Sequence, residues 1–176
     1  AGSADVIIAH NANFDRKFVE KRFPVFIEKP WACSQTQVPW EEEGFAILKL
    51  EYLAYKFGYY FEGHRAEIDC LAGIHLMSQR LPKTEKLVLD VLLKNAKQQL
   101  WRLRALDCDF HKKDLLKNRG YQWFPGDHTR KKTWFIDIDK ENLESELQYL
   151  REEIYGRDLN IPRDAITAFN RFSERI

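Results

Sequence analysis

Asp5-Val6-Ile7-Ile8-Ala9-His10 runs without a break into Asn11-Ala12-Asn13-Phe14-Asp15. Four apolar residues in a row, two of them isoleucine, predict a short buried strand. The polar stretch leads into a helix to about Phe23, stopped before Pro24 because the residue preceding a proline is pushed out of helical geometry. Phe14, Phe18 and Val19 predict that helix's apolar face. Downstream, Trp31-Ala32-Cys33-Ser34 reads as a second short strand, followed by an acidic loop at Glu41–Glu43 and Gly44. Leu50, Leu53, Ala54 and Phe57 recur at i, i+3, i+4 and i+7, so a helix runs there and ends at Gly58. A longer helix opens in His64-Arg65-Ala66-Glu67-Ile68-Asp69, with Cys70, Leu71, Ile74, Met77 and Leu81 expected inward. Strand, helix, strand, helix, helix is an α/β order.

Five residues of ideal helix turn through about 500°, so side chains at 64 and 69 would point about 140° apart. They face one site only if His64 precedes the helix and Asp69 lies in its first turn. An imidazole and a carboxylate at a helix start serve either as a cap and a surface group or as groups that activate a metal-bound water.

At 176 residues the chain fits one compact domain, or part of one followed by a small second domain. Hydrophobic residues at 44% and charged residues at 31% predict a soluble chain with a core. No apolar run approaches the roughly 18 residues of a membrane span. Cys33, Cys70 and Cys108 form no CxxC pair, which argues against both a zinc site and a disulfide framework. A reducing, cytoplasmic setting is the expectation.

The net charge of +1 is unevenly spread. Residues 94–134 hold eleven basic against four acidic side chains, net +7, while residues 135–176 are net −4. The basic block is either a solvated surface or a polyanion-binding one. Within this half, Pro82-Lys83-Thr84 predicts the start of a connecting helix. Leu100–Leu106 alternates apolar and basic residues, as a half-exposed strand does. Lys112–Arg119 reads as a short helix stopped by Gly120, and Tyr121–Phe124 with Lys132–Ile138 as a hairpin across a Pro-Gly-Asp turn. Asp139 is positioned to cap a helix whose stripe is Leu143, Leu147, Leu150 and Ile154. The tail has anchors at Ile161, Ile166, Phe169 and Phe172 but no clear period. The domain expectation is residues 1–81, a connecting helix at 82–97, and a small α+β accessory domain at 98–176.

His10-Asn11-Ala12-Asn13-Phe14-Asp15 after a buried strand, then His64-x-Ala66-x-x-Asp69 about fifty residues on, resembles the DEDDh 3′–5′ exonucleases. This is the ribonuclease H-like family of the epsilon proofreading subunit of bacterial DNA polymerase III. The resemblance covers residues 1–81 and implies an α/β fold of that kind with helices around a mixed sheet. It implies hydrolysis of phosphodiester bonds from a 3′ end by two divalent cations, Mg²⁺ or Mn²⁺, held by hard oxygen ligands. On that resemblance Asp69 and Asp15 are metal ligands and, with His64 as general base, the catalytic residues. Asn11 and Arg65 would contact the substrate strand, with Arg65 as solvated surface the alternative; Phe14 is core packing or a wall of the site. The partners implied are the 3′ end of single-stranded DNA or RNA and, through the same resemblance, a DNA polymerase or another replication or repair protein. No membrane is implied.

One departure matters. The family's first motif, Asp-x-Glu on the first strand, is absent, so only two of the four carboxylates stand in these 176 residues. The expectation is therefore a chain truncated at its N-terminal side, inactive alone and weak in metal binding. The second half resembles small strand–helix–hairpin modules of nucleic-acid enzymes. Lys112, Lys113, Lys131 and Lys132 are its candidate phosphate contacts and Trp134 its candidate base-stacking ring, although strand alternation puts at least two of its aromatic anchors in a core. Two other readings stand beside nuclease activity: a non-catalytic nucleic-acid-binding module, and a scaffold that docks a protein through Leu143–Ile154.

Overall fold

β1 (Ile7–Ala9) lies parallel to β2 (Trp31–Cys33), with Ile7 opposite Trp31 and Ala9 opposite Cys33. Parallel neighbours need a crossover, supplied here by α1 (Ala12–Arg22) and a 3-10 turn at Pro24–Phe26. The computed structural model describes residues 2–63 and 65–176. Among these the chain is mixed α/β, with six α-helices, one parallel sheet and one antiparallel sheet. It forms two units, Ala1–Gln98 with Thr167–Ile176, and Gln99–Ile166.

In the first unit, α2 (Leu50–Lys56), α3 (Ala66–Met77) and α4 (Val88–Lys97) close a core of Trp40, Leu53, Leu76, Leu81, Val88 and Leu92. The chain leaves α2 through Gly58 at φ +80, the left-handed geometry that glycine tolerates best. Three sequence expectations change here. α1 buries Ala12 and Arg16, while Phe14 and Phe18 are 59% and 62% exposed and pack against each other with tilted rings 4.9 Å apart. α3 buries Ala72, Leu76 and Met77, leaving Cys70, Leu71 and Ile74 outward. Its sequence is apolar nearly all round, so periodicity alone does not choose its buried face. The connecting helix starts at Val88, not Pro82, because the Lys83 and Thr84 amides donate to the buried Glu43 carboxylate at 2.8 and 3.3 Å. Glu43, read from sequence as part of an acidic loop, ties two loops of this unit together. α4 belongs to this core rather than to a linker.

Residues 167–176, expected in the second domain, also belong to the first unit. Arg16 is fully buried and holds them. Its guanidinium donates to the carbonyls of Ala168 (3.1 Å), Arg171 (2.8 Å) and Phe169 (2.6 Å), and its Nε to Glu20 at 2.7 Å. Glu20 accepts in turn from Ser173 and Arg175, each at 3.0 Å. Trp31 flanks the guanidinium and donates its backbone N–H to Ala168 at 2.8 Å. Phe169, an expected anchor, is 55% exposed and contributes its carbonyl instead.

The second unit is an antiparallel sheet in the order β4-β5-β3-β6. Its strands are β3 (Leu100–Ala105), β4 (Gln122–Phe124), β5 (Thr133–Ile138) and β6 (Arg163–Ile166). α5 (Lys113–Asn118) and α6 (Leu143–Tyr149), the latter running on into a π-helical turn at Leu150–Tyr155, bring Leu116, Leu143, Leu147 and Leu150 against Leu103, Ala105 and Ile136. The N-cap of α6 is Asn142 rather than Asp139, which instead accepts from the Asn142 amide at 2.8 Å in the turn before the helix. A buried polar group sits in this packing: Glu146 accepts from Tyr121 Oη and Arg119 Nε, all at 2.9 Å. Burial and the Glu146 charge push the Tyr121 hydroxyl far above its ordinary range, so it stays protonated as a donor.

Candidate active site

The chain leaves β1 through His10, whose Nε2 donates to the Leu48 carbonyl at 2.7 Å. A carbonyl only accepts, so Nε2 carries a proton; Nδ1 lies 2.9 Å from Ser34 Oγ, whose hydroxyl also reaches the Ala9 carbonyl at 3.4 Å. Burial lowers the His10 pKa from its ordinary 6.5, against the opposing bond to Leu48. Folded His10 is therefore neutral where an unfolded one begins to charge. Below pH 6.5 the unfolded chain takes up a proton that the folded chain resists, so the stability present above that pH is lost as pH falls. Urea unfolding at pH 7.5 and 5.5 is expected to show a larger acid loss for the wild-type chain than for His10→Asn. Equal losses would exclude His10 as the cause.

Asn11 follows with φ +76 and starts α1, accepting from the Phe14 amide at 2.9 Å. Asparagine is among the few residues that enter this left-handed region readily, and its exposed side chain lies beside the strand end. Asp15 occupies the first turn of α1, half-buried, its pKa raised by burial against a lowering bond from its own backbone. Asp69 occupies the first turn of α3, also half-buried, and Arg65 is the exposed residue before that helix. Both aspartates thus stand where the positive end of a helix dipole favours a carboxylate. Phe14 is neither core nor shielded; its ring faces outward against Phe18. His64 lies outside the described residues.

Asn11 and Asp15 share one helix start, and Arg65 and Asp69 share another. Among the described residues no group of three or more His, Cys, Asp and Glu side chains could hold a metal ion. The aspartates present offer two carboxylates, short of the oxygen shell that Mg²⁺ or Mn²⁺ takes. No helix among the described residues is long and apolar enough to cross a membrane.

In the second unit, Lys112 and Lys113 are half-buried, and Lys113 Nζ lies 4.1 Å from the ring centre of the exposed Phe110. Lys131 pairs with Asp107 at 3.6 Å, and Lys132 beside it is exposed. Trp134 is half-buried on β5, packed against the core and against the exposed Trp123 at 5.3 Å. The alternation in Leu100–Leu106 carries a signal that single-residue scanning misses. Leu103 and Ala105 point into the core, which sends Arg102 and Arg104 to the opposite face.

No family model matches the chain, and neither does any curated protein or solved structure compared with it.

Proposed function

We propose that this chain forms part of a ribonuclease H-like 3′–5′ exonuclease of the DEDDh group, acting on the 3′ end of single-stranded DNA or RNA. The supporting observation is the placement of both motif aspartates in first turns of helices, Asp15 directly after a strand of a parallel pair. In this reading Asp15 and Asp69 supply oxygen ligands and His64 takes the proton from the attacking water. Asn11 and Arg65 hold the substrate strand. The paired divalent cations of such enzymes supply Lewis acidity when bound, and two carboxylates alone would hold a cation only weakly. The remaining oxygens would come from an Asp-x-Glu strand laid along β1. Consistent with this, β1 pairs only with β2 among the described residues, and Ile8 is 37% exposed.

The test is mononucleotide release from a 5′-labelled oligonucleotide in Mn²⁺. One sample holds the 176-residue chain; the other holds that chain joined to a strand carrying Asp-x-Glu. A ladder shortening from the 3′ end in the joined form alone is the expected result. No release from either, with oligonucleotide binding retained, would favour the non-catalytic binding module.

A further inference from the structure

α1 has two opposite sides. On one, Ala12 and Arg16 are buried, and the Ala12 amide reaches Cys33 of β2, so this side rests on the parallel pair and on residues 167–176. At 100° per residue, the line through Phe14 and Phe18 lies about 160° round the helix from it. Those two rings pack against each other and, like Phe23 at the end of the helix, are each more than half exposed. The apolar run continues through the 3-10 turn, where Val25 and Ile27 are exposed as well. A strand added along β1 extends the sheet in its own plane, so it does not reach the side of α1 that faces away from the sheet. Three aromatic rings of about 150–250 Å² each leave on the order of 300 Å² open at these fractions, and the two aliphatic side chains extend it. On a typical monomer the largest apolar patch is about 300–600 Å² and often marks an interaction site.

We infer that this side of α1 pairs with the same side of a second copy of the chain, the two helices antiparallel about a two-fold axis at Phe18. The inference goes beyond the exonuclease reading and does not depend on it. Area sets the size of the occupant. A standard interface covers about 800 Å² per partner and homodimer interfaces are about 65% apolar, so each copy needs roughly 500 Å² of apolar surface. The three rings with Val25 and Ile27 come close to that. Charge selects a second copy in one orientation. The first turn of α1 is acidic at Asp15 and its last turn is basic at Lys21 and Arg22. Antiparallel pairing sets each acidic end against the other copy's basic end and opposes the two helix dipoles. Parallel pairing would set the basic ends of both copies side by side. With the axis at Phe18, that ring meets its own counterpart. Phe14, one turn before it, meets Arg22, one turn after it, of the second copy, a guanidinium over an open ring. The i, i+4 line of Phe14, Phe18 and Arg22 is the kind of ridge that interdigitates in the commonest helix crossing, at about −50°. A two-fold contact of this kind closes at two copies.

Sedimentation of the full chain in EDTA, from about 1 to about 100 µM, measures pairing with no cation at Asp15. Failure here is therefore separable from failure of the exonuclease reading. The mass is expected to rise from the 21.0 kDa of one chain to twice that. Half the chains should be paired at about 10 µM, at the weak end of the span for interfaces of standard size. Phe18→Ser is expected to weaken pairing at least about tenfold, as loss of an aromatic at the centre of an interface does. Arg22→Glu sets two acidic ends against each other and should weaken it by at least about tenfold as well. Tyr60→Ser, in the loop after α2 and also exposed, should pair like the wild type. Thermal melting shows that each variant is folded, and Arg22→Glu, an exchange of one exposed charge, carries the test if Phe18→Ser is not. A chain that keeps the mass of one copy at about 100 µM overturns the proposal. So does a dimer that Phe18→Ser and Arg22→Glu leave intact, a dimer that Tyr60→Ser weakens as much as they do, or an assembly that grows past two copies with concentration.

Discussion

Arg16→Ala is expected to destabilise the Ala1–Gln98 unit by about 3–5 kcal/mol, the range for breaking a buried charged group's network from one side. What the substitution leaves behind sets the size of the loss. Three tail carbonyls lose their donor, and Glu20, whose side chain is only 10% exposed, keeps Arg175 but loses its closest cation. An apolar hole then replaces a guanidinium that was fully buried. Urea unfolding measures the loss, and amide exchange at residues 167–176 should rise with it. Free guanidinium at low millimolar concentration, below denaturing levels, should restore part of the exchange protection, because the three carbonyls remain arranged to receive it. A variant that unfolds at wild-type urea concentration, with an unchanged tail, would show that the latch adds nothing.

Arg16 also marks the limit of what is legible in the sequence. The local elements are readable, since each has its own signal. β1, β2, α1 and α2 fall where β-branched runs, Pro24 and Gly58 put them, and the hairpin falls where Pro125-Gly126-Asp127 puts it. What local pattern does not decide is the buried face where two choices are possible. In α1 the aromatic pair Phe14 and Phe18 suggests the core side, but the other side carries an arginine whose donors need the carbonyls of residues some 150 positions away. No local pattern encodes a partner at that distance. The same holds for α4, whose start is set by Glu43 capturing the Lys83 and Thr84 amides, and for β6, an edge strand made of Arg163-Asp164-Ala165-Ile166 with almost no apolar alternation. Of the candidate site, the helix-start positions of Asp15 and Asp69 are legible, because strand-to-helix and loop-to-helix transitions mark them. The exposed Phe14 and the packed Trp134 are not, because both depend on which face the rest of the unit covers.

If the exonuclease reading holds, His64→Ala in the chain completed by an Asp-x-Glu strand is expected to lower kcat by about 10²–10⁴, the usual contribution of a positioned general base. Binding of the oligonucleotide, measured in EDTA, should not change, because a base acts in the transition state and not on the bound strand. Asp69→Asn should cost at least as much and should not be rescued by raising the pH, since it removes a charge rather than a proton acceptor. His64→Ala should regain part of its rate as pH rises and hydroxide replaces the missing base. Single-turnover rates from pH 6 to 9 separate the two variants. Equal kcat in all three proteins would remove both residues from the chemistry.

The most direct test of the proposed site asks whether Asp15 and Asp69 face one cation. Mn²⁺ titrated into the ¹⁵N-labelled chain broadens the amide signals near wherever it binds. Signals around Asp15 and Asp69 are predicted to broaden together, at the same weak, roughly millimolar Mn²⁺ dependence expected for a cation that keeps most of its water. Asp15→Asn or Asp69→Asn should then abolish the effect at both positions. Broadening at only one aspartate, or at both with each unaffected by loss of the other, would contradict a shared cation site.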